Sequence, residues 1–360
     1  MEELDNIRVM SLQIIKNVKI SGIAAAVPAR RLSSNQWTCF DSPEDCARYV
    51  ENVGVEEVRT NDGSLTCADL CQGAAERLLR DLSWAAEEID LLVFLSQSPD
   101  YPLPATACVL HGKMKMRQEC TCFDISLGCS GWTYGLSIVA GMMQTGSFKK
   151  ALLLVGDIHP DSEEHRKYVK PLFGNAGTAT ALQYDTNASD ITIDTRTDGE
   201  SYEAIIRRVG AYREPFTPDS LKYKADQHGQ IHRPIDTEMD GPAVFIFGIT
   251  KVPKAVKNIL NVGHKTVDDI DAFFFHQANL MMNEQIRKKC KIPAEKCPYS
   301  LQKYGNNSSA SIPLTMVTAS RDLLHLSSRE IVACAFGVGL SWGTLHTKLD
   351  CPVISELVEI

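Results

Sequence analysis

The stretch Cys120-Thr121-Cys122-Phe123-Asp124-Ile125-Ser126-Leu127-Gly128-Cys129-Ser130-Gly131-Trp132-Thr133-Tyr134-Gly135-Leu136-Ser137 decides how this chain is organised. Its pattern predicts a short buried strand turning sharply into a helix, with Cys129 on the turn. Small residues (Gly131, Gly135, Ala140, Gly141) continue along the helix among Leu136, Ile138, Val139, Met142 and Met143. Each helical glycine costs about 1 kcal/mol relative to alanine. A helix that keeps several, and is apolar on nearly every side, is expected to be packed on all faces. A thiol at its start sits near unpaired backbone N–H groups, which favours the thiolate and draws the pKa from about 8.5 toward neutrality. The competing account is plain packing, because free cysteine usually behaves as a small buried hydrophobe.

Outward from this stretch, short apolar runs alternate with helical patterns. Asp90–Ser96, Ala151–Gly156 and Thr178–Leu182 have the character of core strands, and Val18–Val27 is a further strand that ends at Pro28. Thr66–Leu82 carries Ala68, Leu70, Cys71, Ala74, Ala75, Leu78 and Leu79 at helical spacing, and Ser42-Pro43-Glu44-Asp45 opens another helix with a capping pattern. Residues 1 to about 12 are expected to be an extension or capping helix. From Ile191 the pattern starts again: a strand, a charged loop region from Arg207 to Asp240, and a helix from Pro242 to Leu260. A buried strand Asp271–Phe275 then delivers His276, followed by helices over Ala278–Cys290 and Ser308–Leu324. The hairpin-like strands Ile331–Phe336 and Leu340–Leu349 close the chain. This alternation predicts an α/β layer structure with two halves of like element order.

The 360 residues and 44% apolar content suffice for two domains or one duplicated one. Twelve scattered cysteines form no disulfide framework, and the acidic N-terminus lacks the features of a secretory signal, so reduced thiols and a cytoplasmic protein are expected. No apolar run reaches the roughly 20 residues of a membrane span. The net charge of −8 argues against nucleic-acid binding. Cys120-Thr121-Cys122 and the Cys67/Cys71 pair lack metal-ligand spacing, so no metal or resident cofactor is expected.

Three residues carry the chemistry: Cys129, His276 and Asn306, the last within Tyr304-Gly305-Asn306-Asn307-Ser308-Ser309-Ala310-Ser311. A nucleophile, a base and an amide donor are a working set for acyl transfer. Papain-like proteases carry the same three types in the same order. Their Cys-Gly-Ser-Cys-Trp pattern is absent, since the chain has Gly128-Cys129-Ser130-Gly131-Trp132.

Phe123–Tyr134, His276-Gln277-Ala278-Asn279-Leu280, Tyr304–Pro313 and Phe336-Gly337-Val338-Gly339-Leu340-Ser341-Trp342-Gly343 together resemble the hallmarks of the β-ketoacyl-acyl-carrier-protein synthase III family. Weaker echoes at Phe173–Gly177, Asp198-Gly199 and Met239-Asp240-Gly241 extend the likeness from Val18 to Leu349. The resemblance implies the thiolase fold, with two βαβαβαββ halves (1–186 and 187–360) in five layers, αβαβα, and a homodimer. It also implies a catalytic set of Cys129, His276 and Asn306, and an oxyanion hole from the backbone N–H groups of Cys129 and Val338. Phe336, Gly337 and Met281 are then expected at the substrate pocket, and Arg287, Lys288 and Lys289 at a carrier-docking face.

The implied activity is acyl loading of Cys129 from an acyl-CoA or acyl-carrier-protein thioester, then decarboxylative condensation with a malonyl thioester. The setting is fatty-acid synthesis or a specialised pathway. The alternatives are a thiolase-fold acyltransferase that forms an ester or amide without decarboxylation, a catalytically silent partner subunit, and a cysteine protease. The sequence departs from the family's pattern at Met281, where the best-known members have Arg. It also lacks a clear match near Asp45–Val55 for the Trp and Arg that grip the coenzyme A adenine.

Overall fold

A computed structural model of the chain describes residues 11–159, 167, 170–225 and 231–360; residues 1–10 of the expected N-terminal extension lie outside it. The first half contains β1 (Leu12–Ile15), β2 (Val18–Val27), α1 (Pro43–Val53), α2 (Cys67–Leu82), β3 (Leu91–Leu95), α3 (Thr106–Lys113), β4 (Thr121–Ile125), α4 (Gly131–Met143), β5 (Lys150–Asp157) and β6 (Ala176–Tyr184). The second contains β7 (Ile191–Thr197), α5 (Gly241–Val262), β8 (Ala272–Phe275), α6 (Leu280–Lys289), α7 (Ser311–Ala319), β9 (Arg329–Gly337), β10 (Ser341–Leu349), β11 (Val353–Ile354) and β12 (Val358–Glu359).

Local chemistry accounts for these elements. Every residue of β3 is buried, as a strand covered on both faces requires. At the start of α2 the Thr66 hydroxyl accepts from Asp69 N while the Asp69 carboxylate accepts from Thr66 N, a reciprocal cap that satisfies two orphan donors. The buried face of α2 is Cys67, Ala68, Leu70, Cys71, Ala74, Ala75, Leu78 and Leu79, the set its periodicity predicts. The single helix expected over Ser308–Leu324 is instead a tight turn at Ser308–Ala310, then α7, then Arg321–His325, because the Ser320 backbone leaves the helical region at φ −140°.

One sheet has the order β11-β2-β6-β5-β3-β4, with β12 also on β2, and the other β1-β7-β10-β9-β8. Between them lie α4 and α7, whose Trp132, Leu136, Val139, Ile312, Leu314 and Met316 share one core with both sheets. Helices α2 and α3 cover the outer face of the first sheet, and α5 and α6 that of the second. This is the five-layer arrangement of the thiolase fold.

The two sheets repeat one plan: β2-β6-β5-β3-β4 in the first answers β7-β10-β9-β8 in the second. Among the described residues β8 ends its sheet with no strand to answer β4, and Asn306 and Phe173 form an isolated parallel bridge. Both chain ends cross the 186/187 division: Leu12 pairs with Asp194, while Val353 and Val358 pair with Gly22 and Ala26. The two central helices begin side by side. A Cβ on Gly131 would lie 2.2 Å from Leu95 Cδ2 and 3.2 Å from Ser309 Cβ, so only glycine allows this approach. The turns preceding α4 and α7, one with Cys129 and one with Asn306, therefore meet.

Candidate active site

Cys129 lies on the turn from β4 into α4. The strand before it is only half-buried, not the buried strand expected, because β4 is the edge of its sheet. It is held in place by Asp124, whose carboxylate accepts the Thr106 and Ala107 N–H groups at the start of α3 (2.6 and 2.7 Å). Across from Cys129 runs the end of β9: a Cβ on Gly337 would sit 2.5 Å from Cys129 Cβ and 2.8 Å from its sulfur. Glycine there lets the next peptide close on the thiol, and the backbone N–H groups of Val338 and of Cys129 itself approach Sγ.

His276 follows β8 and is buried, its N–H continuing the ladder to Cys334 O (3.0 Å). The residues around it fix its backbone. Gln277 donates to Phe275 O and accepts from Ser300 N, Asn279 caps α6 by accepting from Met282 N, and Asn283 donates to His276 O. The ring Nδ1 lies 2.8 Å from Ser311 Oγ, which lies 2.9 Å from Ser308 O. A carbonyl only accepts, so a Ser311 hydroxyl donating to it leaves Nδ1 as the donor and Nε2 bare. Burial lowers the His276 pKa to about 4, so the ring is neutral at pH 7, and the Phe336 ring meets it edge-on at 5.4 Å.

Asn306 Nδ2 lies 3.5 Å from His276 Nε2 and 3.4 Å from Ala278 O, while its Oδ1 accepts from Ser308 N at 2.9 Å. That backbone bond sets which end of the amide faces the ring. Its own backbone is tied to Leu172 O and Gly174 N. Ser308 adopts a left-handed φ of 49°, and its hydroxyl stands 3.9 Å from Cys129 Sγ. Ser308 thus links the thiol, the amide and, through its carbonyl and Ser311, the imidazole.

The thiol itself departs from expectation. Burial pushes Cys129 up to about 11, and the nearby Asp157 carboxylate adds to the effect. Loss of hydration outweighs the helix start, which favours the protonated thiol at neutral pH.

The remaining expected site residues are dispersed. Phe336 and Gly337 border His276 and Cys129. Met281 is 47% exposed, since α6 buries Met282, Asn283 and Ile286 instead. Arg287 turns back on its own helix, paired with both Glu284 oxygens and donating to Ile292 O, whereas Lys288 and Lys289 are exposed. Near α1, Trp37, Phe40 and Tyr49 pack on one another; Trp37 and Phe40 line a cavity of about 660 Å³, and Lys170 lies over the Phe40 and Tyr49 rings.

Residues 123–199 match the family model of 3-oxoacyl-[acyl-carrier-protein (ACP)] synthase III, and residues 260–349 that of its C-terminal part. A 3-oxoacyl-(acyl-carrier protein) synthase from Burkholderia xenovorans superposes with a TM-score of 0.89 at 33% identity, over 98% of this chain and 100% of the other. The chain belongs to the 3-oxoacyl-acyl-carrier-protein synthase III family. Within this synthase III family it is also similar to the β-ketoacyl-[acyl-carrier-protein] synthase III of Rhodopirellula baltica, 28% identical over 92% of this chain and 98% of the relative. The Streptococcus mutans enzyme of that name is 28% identical over 92% and 99%. Synthase III proteins are condensing acyltransferases, and this chain is one of them.

Sequence reasoning missed one charged residue of this synthase III site, Asp157. A lone carboxylate closing the apolar strand Ala151–Gly156 was the available signal.

Proposed function

We propose that this synthase III loads an acyl group on Cys129 and condenses it with a malonyl thioester, with His276 and Asn306 acting together. The observation that carries this reading is the pairing of a neutral imidazole and an oriented carboxamide beside a half-buried thiol.

In the first half-reaction the Cys129 thiol gives its proton to the bare His276 Nε2 as sulfur attacks the acyl thioester carbonyl. The backbone N–H groups of Cys129 and Val338 stabilise the oxyanion. The C–S bond to the carrier then breaks, and the departing thiolate takes the proton from His276. In the second half, Asn306 Nδ2–H and His276 Nε2–H hold the malonyl carbonyl oxygen. For this His276 takes its other tautomer, with the Ser311 hydroxyl turned from Ser308 O to Nδ1. Loss of carbon dioxide leaves an enolate, whose carbon attacks the acyl-Cys129 carbonyl and expels the cysteine sulfur, which regains a proton. One proton is consumed per turnover, and the products are carbon dioxide, the first carrier's free thiol and a β-ketoacyl thioester.

We take the acyl carrier to be coenzyme A or an acyl-carrier protein. The aromatic faces of Trp37, Phe40 and Tyr49, with the Lys170 cation over the last two, suit an aromatic, phosphate-bearing carrier, and exposed Lys288 and Lys289 suit an acidic one. Among the described residues the outer edge of β4 has no strand partner, which supports a homodimer formed by a second copy. Twelve free thiols fit a reducing, cytoplasmic setting. The test is release of labelled carbon dioxide from a carboxyl-labelled malonyl thioester, dependent on an acyl donor. Acyl transfer to an alcohol or amine with no release would support the ester- or amide-forming alternative.

A further inference from the structure

The turn that carries Asn306 is braced by residues with no part in the proposed reaction. Asn306 N donates to Leu172 O (2.8 Å) and Asn306 O accepts from Gly174 N (3.0 Å), so its backbone lies against residues 172–174. The next residue along, Asn175, donates its N–H to Arg59 O (2.8 Å). Gly305, just before Asn306, has a left-handed φ of 65°, and a Cβ there would lie 2.6 Å from Leu172 O and 2.9 Å from Val58 Cγ1. Only glycine lets the turn sit this close to the short strand Glu57–Arg59.

Arg59 ends that strand and is 3% exposed. Its Nη1 donates to Pro28 O (3.1 Å) and its Nη2 to Glu359 Oε1 (2.7 Å), with Glu57 Oε1 3.7 Å from Nε. Glu359 lies on β12, which pairs with the end of β2, and Arg31 Nη2 donates to the same carboxylate oxygen at 3.0 Å. The guanidinium carbon of Arg59 stands 5.4 Å from the centre of the Tyr304 ring, within cation–π range. A cation this deeply buried stays only where its partners are in place, since a buried charge left alone is strongly destabilising. Arg59 therefore reaches the Asn306 turn twice. Its side chain lies over Tyr304, two residues before Asn306, and its carbonyl reaches Asn306 through Asn175 and Gly174.

We propose that Arg59, held by Glu359, is a positioning residue for Asn306: the pair fixes the turn from which the amide Nδ2 is aimed at His276 Nε2. None of these contacts involves Cys129, so loading proceeds without the brace while condensation depends on it. This rests on the condensation reading and adds to it what holds the amide in place.

The experiment uses the full chain and two variants, Arg59→Met and Glu359→Ala, each alone and combined with Asn306→Ala. Arg59→Met removes the cation itself and leaves Glu359 paired with Arg31, so no buried charge is stranded, and this arm stands even if Glu359→Ala does not fold. Each single variant should slow β-ketoacyl formation roughly ten- to a hundredfold, the loss expected when a group is displaced but not removed. Acyl loading of Cys129, read by intact mass, should be unchanged. In the Asn306→Ala background the same substitutions should slow condensation no further, because a positioning effect vanishes with the group it positions. Equal losses in both backgrounds, or loading and condensation falling together, would overturn the proposal. Hydrogen exchange followed by mass spectrometry needs no activity: the peptides holding Gly174 and Asn306 should exchange at least roughly tenfold faster in Arg59→Met, while α4 keeps its protection. Unchanged exchange there overturns the proposal equally. A chain that never acquires an acyl group defeats the function proposed above, and the exchange rates still decide the role of Arg59.

Discussion

Asn306 Nδ2 stands 3.5 Å from His276 Nε2, with the amide turned toward the ring by the bond from Ser308 N to Asn306 Oδ1. Two polar groups from different turns thus face one point. Asn306→Ala should leave acyl loading of Cys129 intact while slowing condensation by roughly 10²–10³, the usual loss on removing one oxyanion donor. Burst labelling with an acyl thioester, set against steady-state β-ketoacyl formation, separates the two steps. Equal loss in both would place Asn306 in loading instead.

The low pKa of His276 has a stability consequence. Burial depresses it from 6.5 to about 4, so between those values the unfolded chain binds a proton that the folded chain refuses. The contribution of the neutral ring is therefore complete above pH 6.5 and falls as pH drops toward 4, by on the order of 3 kcal/mol in all. Urea unfolding at a series of pH values checks this, since His276→Gln should flatten the slope in that window. The acid limb of condensation should likewise fall near 4, not near 6.5.

Gly337→Ala would drive a methyl group to within 2.5 Å of Cys129 Cβ. Overpacking at such a contact costs about 1–3 kcal/mol, and the Val338 N–H would be pushed off the sulfur. Thermal denaturation should show the lower stability. Acyl loading should fall by at least roughly tenfold, which is about the effect of moving one hydrogen-bond donor out of range.

Charge reversal at Lys288 and Lys289 tests the docking face. Both are exposed at the end of α6, whereas Arg287 is already paired with Glu284. The double Lys→Glu variant should raise KM for an acidic malonyl carrier about five- to tenfold, in keeping with lost electrostatic steering. Loading from acyl-coenzyme A should be unchanged. A titration with added salt should reduce the difference between the variant and the parent chain.

Much of the fold is written locally. Leu91–Leu95 and Ala151–Val155 announce doubly covered strands, and Thr66 with Asp69 announces the start of α2. The central helices are marked by small residues where α4 and α7 meet. The crossing of β1 onto β7 and of β11 and β12 onto β2 depends on pairing between distant segments, which no local pattern encodes. Within the site, the motif residues were legible because Gly337, Gln277 and Asn279 each meet a strict local geometric demand. The direction of the Cys129 shift was not, since burial by Gly337 and Ser308 comes from segments some two hundred residues away. Asp157 was hidden for the same reason: a single acidic residue at a strand end acquires meaning only when Ser96, Ser98 and Ser309 close around it.

Intact mass spectrometry of the purified chain after brief mixing with a short-chain acyl-coenzyme A bears most directly on the central claim. The predicted result is one acyl group per chain, mapped to Cys129, absent from Cys129→Ala and discharged when a malonyl thioester is added. A chain that stays unmodified with every acyl donor, or an adduct that persists in Cys129→Ala, would contradict it.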